Sequence, residues 1–163
     1  MDSPNPANTT EHLWYEEVAL PVLLRHGRAT YATAMRKALA EAGYDDIPGN
    51  GLYLIGGLAL EREDIQLGEL IKDLRVSKQA AGQLVDTLVT RGYLDRQMDK
   101  NDRRKLTVTL TERGRAAAAV QSAARQKVDL DLLECVGQED ISRTRRTLAA
   151  LANMIRGEAE DEG

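Results

Sequence analysis

Apolar positions recur at helical spacing along most of this 163-residue chain, and the repeat changes character as it goes. Over residues 11–42, Leu20, Leu24, Tyr31, Met35, Ala38 and Ala42 mark one stripe of a helical region. Pro21 lies inside it and is expected to kink or divide it. Residues 43–51 are a loop by composition. Residues 52–60 are apolar on all sides, which predicts a buried helix. Gly56-Gly57 weaken that helix, each costing up to about 1 kcal/mol relative to Ala, and favour close packing on a neighbour over room for a ligand. A charged turn follows at 61–64, and Ile65-Gln66 suit a short extra strand.

The pattern is sharpest over residues 67–114. Leu70, Ile71 and Leu74 give a short amphipathic helix, Arg75-Val76 a tight connection, and Ser77 stands where an N-cap belongs. Ala81, Leu84, Val85 and Leu88 then line one face of a second helix, and Gly92 after Arg91 ends it. The opposite face carries Ser77, Lys78, Gln79, Gly82, Gln83 and Asp86. Residues 93–96 and 105–110 read as two paired strands, the second with period-two alternation. The tip between them, residues 97–104, is rich in turn formers and cations.

After the hairpin, Thr111 caps a long helix through Ala116, Ala119, Val120 and Ala123 to about Leu133. Gly137 breaks it, and a last helix over 139–156 has Ile141, Leu148, Leu151, Ala152 and Ile155 on one side. The ends, residues 1–10 and 158–163, read as disordered and acidic tails respectively. Both flanking helical regions have apolar stripes that the small central module cannot cover. A symmetric homodimer buries them economically.

Charge adds a partner. The whole chain is net −4, with 22 Lys and Arg against 26 Asp and Glu. Residues 68–115 nevertheless hold 11 basic and 7 acidic groups, net +4, which leaves −8 on the rest. A basic module within an acidic chain is the footprint of a nucleic-acid reader. Ser77, Lys78, Gln79 and Gln83, at the exposed start of a helix, suit base edges in a major groove. Lys100, Arg103 and Arg104 on the hairpin tip suit the neighbouring minor groove. Arg96, at the wing base, is expected to reach phosphate or to pair with Asp102.

The order Val76-Ser77, helix, Arg91-Gly92-Tyr93-Leu94-Asp95-Arg96, Asp102-Arg103-Arg104, Leu110-Thr111 and Gly114 closely resembles the MarR family of winged-helix transcriptional regulators. The resemblance is specific over residues 65–115 and rests on helix count elsewhere. Gln66, where the family often has Ser or Thr, and Ile71, where Ala is usual, depart from it. The resemblance implies that Asp102 braces the wing and that Arg104, with Arg103 beside it, touches DNA. It implies a mainly α fold with a small β-hairpin wing: a winged helix-turn-helix flanked by N- and C-terminal dimerisation helices. The expected organisation is a tail at 1–10, dimerisation helices at 11–42, a DNA-binding domain at 50–115, C-terminal dimerisation helices at 112–157 and a tail at 158–163. Two reading helices roughly 34 Å apart would face a near-palindromic operator in double-stranded DNA. The function implied is a dimeric repressor. A winged-helix module for protein–protein contact is the alternative, and its kept wing cations argue against it.

No catalytic constellation emerges, so no enzyme is expected. Ser77 lacks the strand-to-helix glycine setting of a hydrolase nucleophile, and Gly49-Asn50-Gly51 is not followed by the Lys-Ser/Thr of a phosphate loop. One Cys and two His (His12, His26) are thin material for a metal, so neither metal nor cofactor is expected. The polar, proline-bearing start and the lack of a long apolar run predict no membrane contact and a cytoplasmic, nucleoid-associated protein. Cys135, beside Leu132, Leu133 and Val136, is expected to pack rather than sense oxidants. The resemblance further implies a small aromatic or phenolic effector, with Trp14, His26, Arg28 and Tyr53 as candidate lining. Such a ligand acts only by binding two states of the dimer with different affinity.

Overall fold

The computed structural model describes residues 13–60, 65–66, 77–98 and 106–160. The helix expected around Leu70, the charged turn at 61–64, His12, and the wing tip with Lys100, Asp102, Arg103 and Arg104 lie outside the described residues.

Helix α1 spans Leu20–Glu41. Residues 13–17 before it form turns, with Glu16 N–H bonded to the Leu13 carbonyl at 2.9 Å. Pro21 therefore neither kinks nor divides a helix begun at residue 11. It sits within the first two helical positions, where the missing N–H would have had no intrahelical partner anyway. The stripe the spacing suggested holds at Tyr31, Met35 and Ala38, which are half-buried or buried, and not at the start of the helix. Met35 and Leu39 are buried, whereas Leu20 and Leu24 are exposed.

Helix α2 is Gly51–Leu60. Leu52, Leu54, Ile55 and Leu58 are buried, but Tyr53 and Leu60 face outward, so this apolar segment is not covered on every side. Gly56 does serve close packing. A Cβ there would lie 2.8 Å from the Gln121 side-chain nitrogen, which donates to the Leu52 carbonyl at 2.8 Å.

Helix α3, Lys78–Thr90, carries Ala81, Val85 and Leu88 into the core. It stops at Arg91 because Gly92 turns left-handed, with φ 74°. Gly92 N–H then bonds to Val89 and Tyr93 N–H to Leu88, both at 2.9 Å, satisfying two terminal carbonyls.

The sheet consists of β1 (Ile65–Gln66), β2 (Leu94–Met98) and β3 (Leu106–Leu110). The strand order is β1-β3-β2, antiparallel throughout, with Ile65 and Arg96 both opposite Val108. The extra strand at Ile65-Gln66 is thus present. Helix α4 runs from Glu112 to Glu160, into the segment expected as a tail, and is interrupted at Gly137, φ 78° and ψ 166°. Its first half packs along α1 and α2. Tyr31 donates to Asp129 across the α1–α4 contact at 2.5 Å.

One core joins these elements. Leu39, Ile47, Leu52, Ile55, Val85, Leu88, Leu94, Val108 and Ala117 pack around Tyr93. The core is aliphatic apart from that ring and the half-buried Tyr44 edge-on to it, as a chain with a single Trp, five Tyr and no Phe requires.

Candidate nucleic-acid interface

Helix α3 can present its polar face because its other face is held. Ala81, Val85 and Leu88 are wholly buried, while Ser77, Lys78, Gln79 and Gln83 are exposed. The Ser77 hydroxyl accepts from Ala80 N–H at 3.2 Å, which fixes the first turn. Its own hydrogen still has freedom to donate. The helix start therefore offers a cation, two amides and a hydroxyl on one solvent-facing surface. These groups can accept and donate at base edges and attract phosphate.

Arg96 has a partner that the sequence did not suggest. Its guanidinium donates to the Asp86 carboxylate of α3, crossing from sheet to helix. A residue of the exposed polar face is thus already engaged by the strand behind it.

The joint beneath α3 was invisible to spacing arguments. Tyr93, wholly buried, donates to Asp46 at 2.5 Å and accepts from Arg113 at 2.9 Å. Arg113 also lies over the rings of Tyr93 and Tyr44, at 4.6 and 5.4 Å. Arg91 donates to the Asp46 carbonyl. Burial, then the bond to Asp46, pushes the Tyr93 hydroxyl up to about 12. The Tyr93 hydrogen bond, aided by Arg113, holds Asp46 below the usual carboxylate range. The cluster ties the 43–50 loop, the end of α3 and the start of α4 together. Its members lie too far apart in sequence for any local signal to have found it.

A crevice of about 960 Å³ opens between the sheet and helices α1, α2 and α4. Its polar lining includes Gln97, Gln121, the cations Arg115 and Arg125, and the carboxylates Asp95 and Glu112. Gln121 Oε1 and Arg125 Nε are buried there without a hydrogen-bond partner among the described residues. None of the four residues expected to line an effector site borders it. Trp14 is exposed, its ring edge-on to Tyr15, and His26 is exposed on α1. Arg28 and Tyr53 do come together: Arg28 Nε donates to the Tyr53 hydroxyl at 2.8 Å, on the surface. Cys135 is exposed rather than packed, because it lies on the distal part of α4 between exposed Leu132 and Val136.

Among the described residues no helix is long and apolar enough to cross a membrane. A three-stranded antiparallel sheet set behind a capped, outward-facing helix defines a winged-helix protein. Residues 52–105 match the model of the MarR family. The chain is 31% identical over 108 residues to the transcriptional repressor MprA of Escherichia coli, which covers 66% of this chain and 60% of MprA. It is 26% identical over 130 residues to the uncharacterized HTH-type transcriptional regulator YwhA of Bacillus subtilis, covering 80% of this chain and 93% of YwhA. The fold is shared with Streptococcus pneumoniae FabT solved in complex with DNA (TM-score 0.71, 18% identity, 84% and 94% covered). It is shared too with the S. aureus MepR–DNA complex (TM-score 0.70, 16% identity, 85% and 99% covered). The likeness to the MarR family is thus carried by the central module, residues 52–105. The chain spans 60% of the length of the MprA repressors it matches.

Proposed function

We propose that this protein is a dimeric, sequence-specific DNA-binding transcriptional regulator, acting as a repressor in the cytoplasm on a near-palindromic operator. The observation that carries this reading is the face of α3. Ser77, Lys78, Gln79 and Gln83 are exposed on a helix whose opposite side is wholly buried. Lys100, Arg103 and Arg104, with Asp102 as brace, supply the wing contacts in this reading. FabT and MepR, which share the fold, were each solved with DNA.

The test is an anisotropy titration of the purified protein on its own upstream DNA against scrambled DNA, at two salt concentrations. Selective binding with a steep salt slope is the expected result. Unselective, weak binding would favour a protein-contact role for the same module.

An effector belongs to this reading, and its site is the crevice rather than the surroundings of Trp14 and His26. Arg125 Nε offers an unused donor and Gln121 Oε1 an unused acceptor, with Arg115 nearby in the same lining. A phenolic anion supplies the complementary acceptor and donor. A hydroxybenzoate probe is expected to raise the melting temperature of the wild type and release DNA, and to do neither in Arg125→Met. A probe that stabilises the protein without touching DNA affinity removes the effector from the account.

A further inference from the structure

We propose that Asp86 and Arg96 form a strut that sets the wing against the reading helix, so that Arg96 is a positioning residue and does not itself bind phosphate. The proposal rests on the DNA-binding reading above for its consequence, though not for its geometry.

Three observations carry it. First, the Arg96 guanidinium is bonded to the Asp86 carboxylate. Among the described residues this is the one side-chain hydrogen bond that joins α3 to the sheet. Second, Asp86 lies on the reading side of α3, one turn beyond Gly82 and two beyond Lys78, and its side chain is 60% exposed. An unpaired carboxylate there would repel the DNA backbone, so its presence needs a compensating cation. Third, successive residues of a strand point to opposite faces. Asp95 and Gln97 border the crevice, which puts Leu94 and Arg96 on the α3 side of β2. Leu94 is buried in the core beside Val85 and Leu88, and Arg96 lies beyond it as the charged member. The strand thus has the crevice on one side and the reading helix on the other, with Arg96 as the link.

A guanidinium held by a carboxylate has its charge partly compensated and one of its N–H donors taken. Its gain for binding is geometric: wing and helix meet the duplex at a fixed separation without paying to order themselves on contact. A pair this exposed adds little to global stability, so its effect belongs to DNA binding and to local opening of the hairpin.

The two roles predict opposite signs for one substitution. If Arg96 contacts phosphate, Asp86→Asn removes a repulsive charge and tightens binding. In that case Arg96→Met also flattens the plot of log K against log salt by about 0.9. If the pair is a strut, Asp86→Asn and Arg96→Met each weaken selective binding, by about 5- to 20-fold, without changing that slope. Their double variant is then no worse than either alone. The reversed pair D86R/R96D recovers part of the loss.

Affinity for the selected and scrambled duplexes should be measured for these four variants. Hydrogen exchange of the β2–β3 amides in the DNA-free protein completes the experiment. Faster exchange in both single variants is expected from a strut. Unchanged exchange, or an Asp86→Asn protein that binds DNA as tightly as the wild type or tighter, overturns it. Should the wild type select no DNA, the functional reading fails by itself, and the exchange measurement still decides the strut.

Discussion

A Cβ built on Gly114 would lie 2.1 Å from the carbonyl oxygen of Tyr93. The first turn of α4 is therefore pressed onto the backbone that leaves α3, at the point where the reading helix gives way to the wing. No side chain fits between them, and the obstructing atom is backbone, which cannot swing aside. Gly114→Ala should force the two elements apart at the cost of roughly 2–3 kcal/mol, in the range of overpacked cores. For a chain of this size that corresponds to a fall of about 5–10 °C in melting temperature. An unchanged melting temperature would show that α4 can slide away freely.

Thr111 fastens the same joint by chemistry instead of shape. Its hydroxyl accepts from Gly114 N–H at 2.9 Å and donates to the Gly92 carbonyl at 2.6 Å. Thr111→Val keeps the volume and loses both bonds, so a loss of about 1–2 kcal/mol is expected. Thr111→Ser keeps the oxygen and should recover most of it. Chemical denaturation of the two variants distinguishes capping from packing, since a loss in Thr111→Ser with none in Thr111→Val would point to the methyl group.

These two residues show why so much of the central module was legible. Ser77 as N-cap, Gly92 as helix stop and Thr111 as the cap on Gly114 N–H act within a few residues of their own position, and such local signals survive in a sequence. The reach of Thr111 to Gly92 and of Gly114 to Tyr93 leaves no such signal. Pro21 misled because its effect depends on where the helix begins: it starts α1 at the point where it was expected to bend it. The bond of Arg96 to Asp86 crosses a helix–strand contact that spacing does not reveal. The Asp46–Tyr93–Arg113 cluster joins residues 47 and 20 positions apart, beyond the reach of periodicity. Burial of Cys135 was inferred from apolar neighbours that are themselves exposed.

The buried tyrosine makes stability fall at alkaline pH. Tyr93 is pushed up to about 12 by burial and by Asp46, and Tyr31 up to about 12 by its bond to Asp129. The unfolded chain releases both protons near pH 10, so the folded state binds more protons between about 10 and 12. Their contribution is complete below about pH 10 and lost as the pH rises through 12. Asp46 acts in the other direction: its lowered value makes its contribution present above its ordinary 3.8 and lost on further acidification. Urea midpoints should therefore decline between about pH 9 and 12, and less steeply in Tyr93→Phe. An identical decline in that variant would remove Tyr93 from the alkaline limb.

Within the reading face, Lys78 and Gln79 should separate affinity from selectivity. Lys78 carries charge at the helix start, so Lys78→Ala is expected to weaken all duplexes alike and to reduce the salt slope by about one. Gln79 offers an amide with donor and acceptor, suited to an adenine edge. Gln79→Ala should cost about 1–3 kcal/mol on the preferred site and relax the preference at one base pair. A uniform loss from Gln79→Ala would assign it to the backbone instead.

The outer surfaces of the long helices bear on assembly. Leu20 and Leu24 on α1 are exposed, as are Leu130, Leu148, Leu151 and Met154 on α4. A monomer would leave all six wet, whereas burying each leucine in a homodimer is worth roughly 1.5–3 kcal/mol. Only a twofold pairing places two copies of α3 on one side of a duplex, in register with successive major grooves. In the proposed dimer, Leu151→Glu would set a carboxylate into that contact twice, once from each chain. Light scattering should then give the mass of one chain, 18.0 kDa, in place of two. DNA affinity should fall by far more than a lost side-chain contact explains, because each half-site is then bound alone and the gain from linking two readers disappears. A Leu151→Glu protein that stays at the mass of two chains would move the dimer contact away from the distal part of α4.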